Sequence, residues 1–352
     1  MKKIYTLAIA SLLFGWVSAQ SLSNVESVEY DPINDRYLTS SDNSSIVAIA
    51  PNGALSYFGS GTDASHGMEI FDGRLFAING SQIRSYDLTT ENQLSSTNIS
   101  GAQFLNGMAS NGVDSIWFTD FSGRDIYAMN VDDPTSYTMI ASNIGITPNG
   151  IVYDGANNRC LFVTWGTGTI RAMDLNSYAI TTVEGSTGLS NIDGIDYDSQ
   201  GNWFVSSWSP NRITKYNNDF SISEVITVPG ISSPADICYA TETDTLAIPG
   251  AGQVLFVGFE NNSVGIENES FETHEVYYNN GFPIVRFSLD KPQEVNFDIV
   301  DMSGRVVFSV LDGTQPAGQQ TVVLSSIGLY SGNYVCRVSS KELSFSERIV
   351  IP

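Results

Sequence analysis

Five short stretches place a polar residue directly ahead of an apolar run: Glu26 in "ESVEY", His66 in "HGMEI", Asn106 in "NGMAS", Asn149 in "NGIVY" and Asp193 in "DGIDY". A sixth, "ADICY", puts Ala235 at the same point, and the steps between first positions are 40, 40, 43, 44 and 42 residues. Brought together, two carboxylates and two carboxamides make a hard oxygen site. Glu26 and Asp193 would repel if both were ionised and unpaired, so one takes up a proton or a cation compensates both. Calcium suits such donors, because it accepts carboxylate and amide oxygens in flexible geometry. Zinc suits them poorly, with one His and no thiolate in the set. A polar channel that only holds water is the plainer alternative.

The elements that would position this set follow from the same phasing. Each opening is followed by a second apolar run ("RYLTSS", "RLFAING", "SIWFTDF", "RCLFVTWG", "NWFVSSW", "TLAIPGA") and a third ("SIVAIA", "QIRSYDL", "DIYAMNV", "TIRAMDL", "RITKYN", "QVLFVGF"). Most units also offer a fourth strand, and no amphipathic helix of three turns is evident. Four antiparallel strands in about 42 residues are a β-propeller blade. The chain is therefore read as all-β, with a six-bladed propeller over residues 20–259. The last unit has a weak fourth strand, and the mature N-terminus is expected to close the ring there. Innermost strands run along a propeller axis, so their first residues form a ring at one mouth. Asn-Gly usually marks a hairpin turn, as expected at Asn52-Gly53 and Asn111-Gly112. At Asn106 and Asn149 the glycine instead removes a side chain where inner strands crowd.

The phased openings, with Glu in the first unit, Asn in the third and fourth and Asp in the fifth, resemble the gluconolactonase superfamily. That superfamily includes senescence marker protein, luciferin-regenerating enzyme and diisopropyl fluorophosphatase. "VESVEYDPINDRYLTSS", "TPNGIVYDGANNRCLFVTWG" and "NIDGIDYDSQGNWFVSSW" carry the resemblance. It implies that Glu26, Asn149 and Asp193 ligate calcium, with Asn106 at a position that binds metal or substrate. It implies hydrolysis of a lactone or phosphoryl ester, with Asp193 as general base or nucleophile. His66, at the same mouth, would bind substrate, relay a proton or simply line the channel. Sugar-lactone members carry Arg two residues before the third-unit Asn, where this chain has Phe104. That departure suits a less polar lactone or ester. Aromatic residues 117–121, Trp165 and Trp208 are further candidates to line the mouth.

The first residues, "MKK" followed by "IYTLAIASLLFGWV" and "VSA", read as a secretory signal peptide over residues 1–19. No stretch approaches the ~20 apolar residues of a membrane-spanning helix. The formal charge of −22 argues against nucleic acid and anionic membranes as partners. Cys160, Cys238 and Cys336 each lie in an apolar run and are expected as buried free thiols.

After Phe259 the repeat phase ends. Residues 260–275 are acidic and patternless, which reads as a linker. Alternating apolar runs then resume over residues 276–352 and predict a small β-sandwich. "VNFDIVDMSGRVV", "QPAGQQTVVL", "LYSGNYVCRV" and the terminal "ERIVIP" resemble the type A C-terminal sorting domain of the Bacteroidetes type IX secretion system. The resemblance implies passage across the outer membrane with removal of this domain, then release or surface anchoring. A carbohydrate-binding sandwich is the alternative, with no ligand pair in evidence. Two readings of the whole chain remain at this point: an exported calcium-dependent lactonase-like hydrolase, or a non-catalytic surface propeller that binds a ligand or protein partner.

Overall fold

The computed structural model describes residues 22–41, 45–259, 274–279, 282–301, 304–324, 328–341 and 344–351. The expected signal peptide and residues 260–273 of the expected linker lie outside them. Residues 28–57, 68–98, 105–141, 147–184 and 190–227 form five antiparallel meanders, each of four strands in sequence order. Residues 238–258 form a sixth with three strands among the described residues. Each inner strand lies against the next, and the first lies against the sixth. A parallel bridge between Ser27 and Asp236 closes the ring, and the Asp236 N–H donates to the Glu26 carbonyl at 2.9 Å. This is a β-propeller.

Closure does not add an N-terminal strand to the sixth sheet among the described residues. Leu22 and Ser23 instead pass beside Gly252 without pairing. What holds the blades is apolar packing between their faces. Phe76, Ile78 and Ile83 of the second sheet meet Phe118, Tyr127 and Met129 of the third. Leu161 and Val163 of the fourth meet Ile195, Val205 and Tyr216 of the fifth. Full burial of one such side chain stabilises by ~1.5–3 kcal/mol.

His274 opens the first C-terminal strand, His274–Asn279. Strands Phe282–Leu289 and Gly318–Val323 pair with each other, and strands within residues 293–351 form a separate four-stranded sheet. Val285, Phe287, Val322, Phe297, Ile299 and Val338 fill the core of this sandwich. Its strand Gly318–Val323 also pairs in parallel with the outermost strand of the fifth blade, Ser223–Thr227. Ile284 and Val323 join Phe204, Ile226 and Tyr239 in one apolar cluster. At the rim of this seam Arg286 bonds Glu275 at 2.8 Å and approaches Glu224 at 3.7 Å. Cys160, Cys238 and Cys336 are free and buried. Among the described residues no helix is long and apolar enough to cross a membrane.

Candidate functional site at one mouth of the propeller

The site begins with the glycines. Gly53 and Gly112 turn with φ of +79° and +70°, whereas Gly107 and Gly150 stay outside the left-handed region. A Cβ on Gly107 would lie 2.6 Å from the Asn149 carbonyl oxygen, and one on Gly150 would lie 2.5 Å from that of Asp193. Gly67 meets the Asn106 carbonyl in the same way, and Gly194 that of Ala235 at 2.7 Å. From the second blade to the sixth, each inner strand therefore rests backbone to backbone on the next. Buried hydroxyls tie the contacts: Thr119 Oγ1 accepts from the Gly107 N–H at 2.9 Å and donates to the Asn149 carbonyl at 2.8 Å. Ser206 does the same between Gly194 and Ala235, at 2.7 Å each way.

This crowding brings Glu26, Asn149 and Asp193 together. Asp193 is 5% exposed. Burial pushes its carboxyl well above the usual range, the charges of Glu26 and Asp236 push it further, and hydrogen bonds from Asn149 and Trp208 draw it back. Burial raises Glu26 to about 7. Among the described residues neither carboxylate has a Lys or Arg partner. Asn149 is 1% exposed; its Nδ2 donates to the Ile192 carbonyl at 3.3 Å, and its Oδ1 has no partner. Asn106 holds the matching place in the third blade, where its carbonyl accepts from the Gly67 N–H at 2.8 Å. No three His, Cys, Asp or Glu side chains among the described residues converge as a metal-holding group. The donors gathered here are a mixed set of carboxylates and carboxamides.

Five rings run beside this group across four blades. His66 packs edge-on to Phe104 at 4.6 Å, Phe104 to Phe121 at 5.5 Å, Phe121 to Trp165 at 5.9 Å and Trp165 to Trp208 at 5.0 Å. The buried carboxylate of Asp120 sets the start of the arc. It accepts backbone N–H groups of Gln103 at 2.6 Å, Phe104 at 2.9 Å and Gly123 at 2.8 Å, which fixes the loops carrying Phe104 and Phe121. His66 Nδ1 lies 2.9 Å from Ser65 Oγ, and burial lowers the imidazole to about 4. It is therefore neutral at physiological pH.

A second set of acids, not anticipated from the sequence, lines a cavity of ≈ 630 Å³ further along the inner strands: Glu29, Glu69, Asp196 and Asp236. Burial raises Glu69 to about 8, Asp196 to about 7 and Asp236 to about 8, and lifts Glu29 well above its usual range. Each is anchored: Glu69 by Ser110 Oγ at 2.8 Å, Asp196 by the Tyr239 N–H at 2.6 Å and Asp236 by Ser27 Oγ at 3.1 Å, with Cys238 beside Glu29. The signal was the fourth residue of "ESVEY", "HGMEI" and "DGIDY". Strict alternation would turn first and fourth residues to opposite faces. In the fifth blade a register shift between Ile192 and Ile195 breaks that alternation, so Asp193 and Asp196 can both face the axis at different heights.

The comparisons agree with this architecture. Residues 279–352 match the family model of the secretion system C-terminal sorting domain. No curated protein matches the chain. Solved structures share the propeller fold. A protein of unknown function from Bacteroides thetaiotaomicron is 12% identical, with a TM-score of 0.55 over 69% of this chain and 70% of that one. A candidate gluconolactonase is 16% identical, with a TM-score of 0.53 over 66% of this chain and 87% of its own. A calcium-binding protein, regucalcin, from Agrobacterium tumefaciens is 15% identical, with a TM-score of 0.53 over 66% and 84%. The sorting tail indicates export to the cell surface or beyond.

Proposed function

We propose that this chain is an exported calcium-dependent hydrolase of lactones or related esters. Its domains would be a signal peptide over residues 1–19, a six-bladed propeller over 20–259 and, after the linker 260–275, a type IX secretion sorting domain over 276–352. The observation that carries the reading is the orphaned Asn149 Oδ1, buried beside two carboxyls that lack a cationic partner. An unpaired buried acceptor and two desolvated acids are costly alone, and a hard divalent cation satisfies all three. The donors fit calcium. Glu26, Asn149 and Asp193 would hold it, with Asn106 as a fourth ligand or a substrate contact. The two structural neighbours named as a gluconolactonase and a calcium-binding regucalcin support the same reading at the level of the fold.

Bound calcium would supply electrostatic polarisation of the scissile carbonyl or phosphoryl oxygen. The protein's own groups do the rest. Asp193, ionised, takes the proton from the attacking water. Its burial makes it a stronger base than an exposed carboxylate. Asn149 and Trp208 beside it favour the ionised form of that carboxyl. His66, neutral and braced by Ser65, offers a hydrogen bond to substrate rather than a charge. Phe104 and its neighbouring rings exclude water from one side.

The test is a thermal melt of the mature chain with calcium and with a chelator, followed by a lactone and phosphotriester screen. A calcium-dependent rise in melting temperature is expected, since a ligand of the folded state alone must stabilise it. Equal melting curves would remove the metal assignment.

A further inference from the structure

The geometry points to a substrate whose leaving or acyl part is a flat apolar group, an aryl or similarly planar lactone, seated on the ring arc from His66 to Trp208. This inference rests on the hydrolase reading of the same mouth for its reacting group, and on the arc for its specificity. Four ring contacts join five side chains from four different blades. Interplanar angles of 87°, 82°, 62° and 78° alternate edge and face along the arc, an arrangement that favours a further ring at either kind of surface.

Structural packing alone would bury such rings in the blade cores, as it buries Phe118 and Phe162. These five remain at least partly exposed, and Trp208 is 36% exposed. They stand beside a small polar centre, the composition expected of a small-molecule site: apolar walls with few oriented polar groups.

The hydrogen-bonding capacity of the arc decides the class. Its polar atoms are the ring nitrogens of His66, Trp165 and Trp208. His66 Nδ1 is engaged with Ser65, and the Trp208 indole lies close enough to Asp193 to act on its carboxyl. A polyhydroxylated substrate would lose water from several hydroxyls over this surface and find few partners, which is costly. A planar apolar group loses little and gains stacking area.

The experiment compares two unreactive cyclic amides that share the carbonyl but differ in the ring: 3,4-dihydroquinolin-2-one and gluconolactam. Both are titrated into the mature full-length chain in calcium buffer, with tryptophan fluorescence and calorimetry as readouts. The aryl lactam should bind about tenfold or more tightly than gluconolactam and quench tryptophan emission. Phe104→Ser and Trp165→Ala should each weaken the aryl lactam by about tenfold and leave gluconolactam unchanged. Phe104→Leu serves if the serine variant melts early. Equal or tighter binding of gluconolactam, no binding of the aryl lactam, or a loss common to both ligands would overturn the inference. Turnover is measured separately with dihydrocoumarin and glucono-δ-lactone. Aryl binding without turnover of either lactone removes the hydrolase reading and leaves the subsite standing. Turnover without aryl preference does the reverse.

Discussion

Gly107 and Asn149 are held so closely that a methyl group on the first would sit 2.6 Å from the carbonyl oxygen of the second. The obstacle is backbone that Thr119 already pins from the other side, so it cannot yield as a side chain tip would. Gly107→Ala should therefore cost ~1–3 kcal/mol, the range of core overpacking. Gly185→Ala is the control, since its nearest neighbour is a Thr182 methyl at 3.4 Å, and it should be neutral within ~0.5 kcal/mol. Denaturant melts of the two variants check this. Equal stabilities would mean that the inner strands can spread.

The matching contact one blade on, Gly150 against the Asp193 carbonyl, places Asn149 beside Asp193 and gives the second prediction. Asp193→Asn keeps the size and hydrogen bonding of the side chain but removes the base. Lactone turnover should fall by about 10²–10⁴-fold while the melting temperature without calcium stays level or rises, because a desolvated acid has been removed. Glu26→Gln should shrink the calcium-dependent rise in melting temperature. Turnover that survives Asp193→Asn would contradict the assigned role.

Much of this site was legible in the sequence because a propeller repeats. Stacking the openings at steps of 40 to 44 residues aligns Glu26, His66, Asn106, Asn149 and Asp193, and the glycines after them mark points of close approach. The lower acids Glu29, Glu69 and Asp196 sit in the same aligned rows, but a strict period of two turns the first and fourth residues apart, and at Asp196 a bulge before it breaks that period. Asp236 was hidden because Ala235 breaks the pattern one residue earlier. In the sequence Trp208 reads only as a mouth-lining aromatic. Its effect on the Asp193 carboxyl comes from placing the second strand of one blade beside the first, a tertiary fact with no local signal. The pairing of Ser223–Thr227 with Gly318–Val323 links segments about ninety residues apart in different domains, and no periodicity reports such an edge.

The lower acids give a pH prediction. Glu69 ionises at about 8 in the folded chain against an ordinary 4.5, and Asp196 at about 7 against 3.8. Between those limits the unfolded chain releases protons that the folded chain keeps, so stability is greatest below about pH 4 to 4.5 for these groups and falls until about pH 8. Without calcium, the melting temperature should drop between pH 5 and pH 8.5. Glu69→Gln, which can still accept from Ser110, should leave the pH 5 value near the parent's and raise the value at pH 8.5. A variant that tracks the parent across the whole range would show that Glu69 is ionised in the folded protein.

The last prediction concerns the seam between propeller and tail. Ser223–Thr227 is the outer strand of its blade, and among the described residues Gly318–Val323 of the tail is the strand that pairs with its free edge. Ile284 and Val323 cover the apolar side chains behind it, including Phe204 and Ile226. An uncovered edge strand is a template for pairing with another chain. In the mature full-length protein, amides of residues 223–227 should exchange slowly with solvent. In a chain ending at Phe259 they should exchange faster, while the inner strands Leu105–Ser110 and Thr147–Asp154 keep their protection. The shortened chain should also self-associate more readily at high concentration, through the same edge. Unchanged exchange at 223–227 would mean that the tail and the fifth blade do not share a sheet in solution.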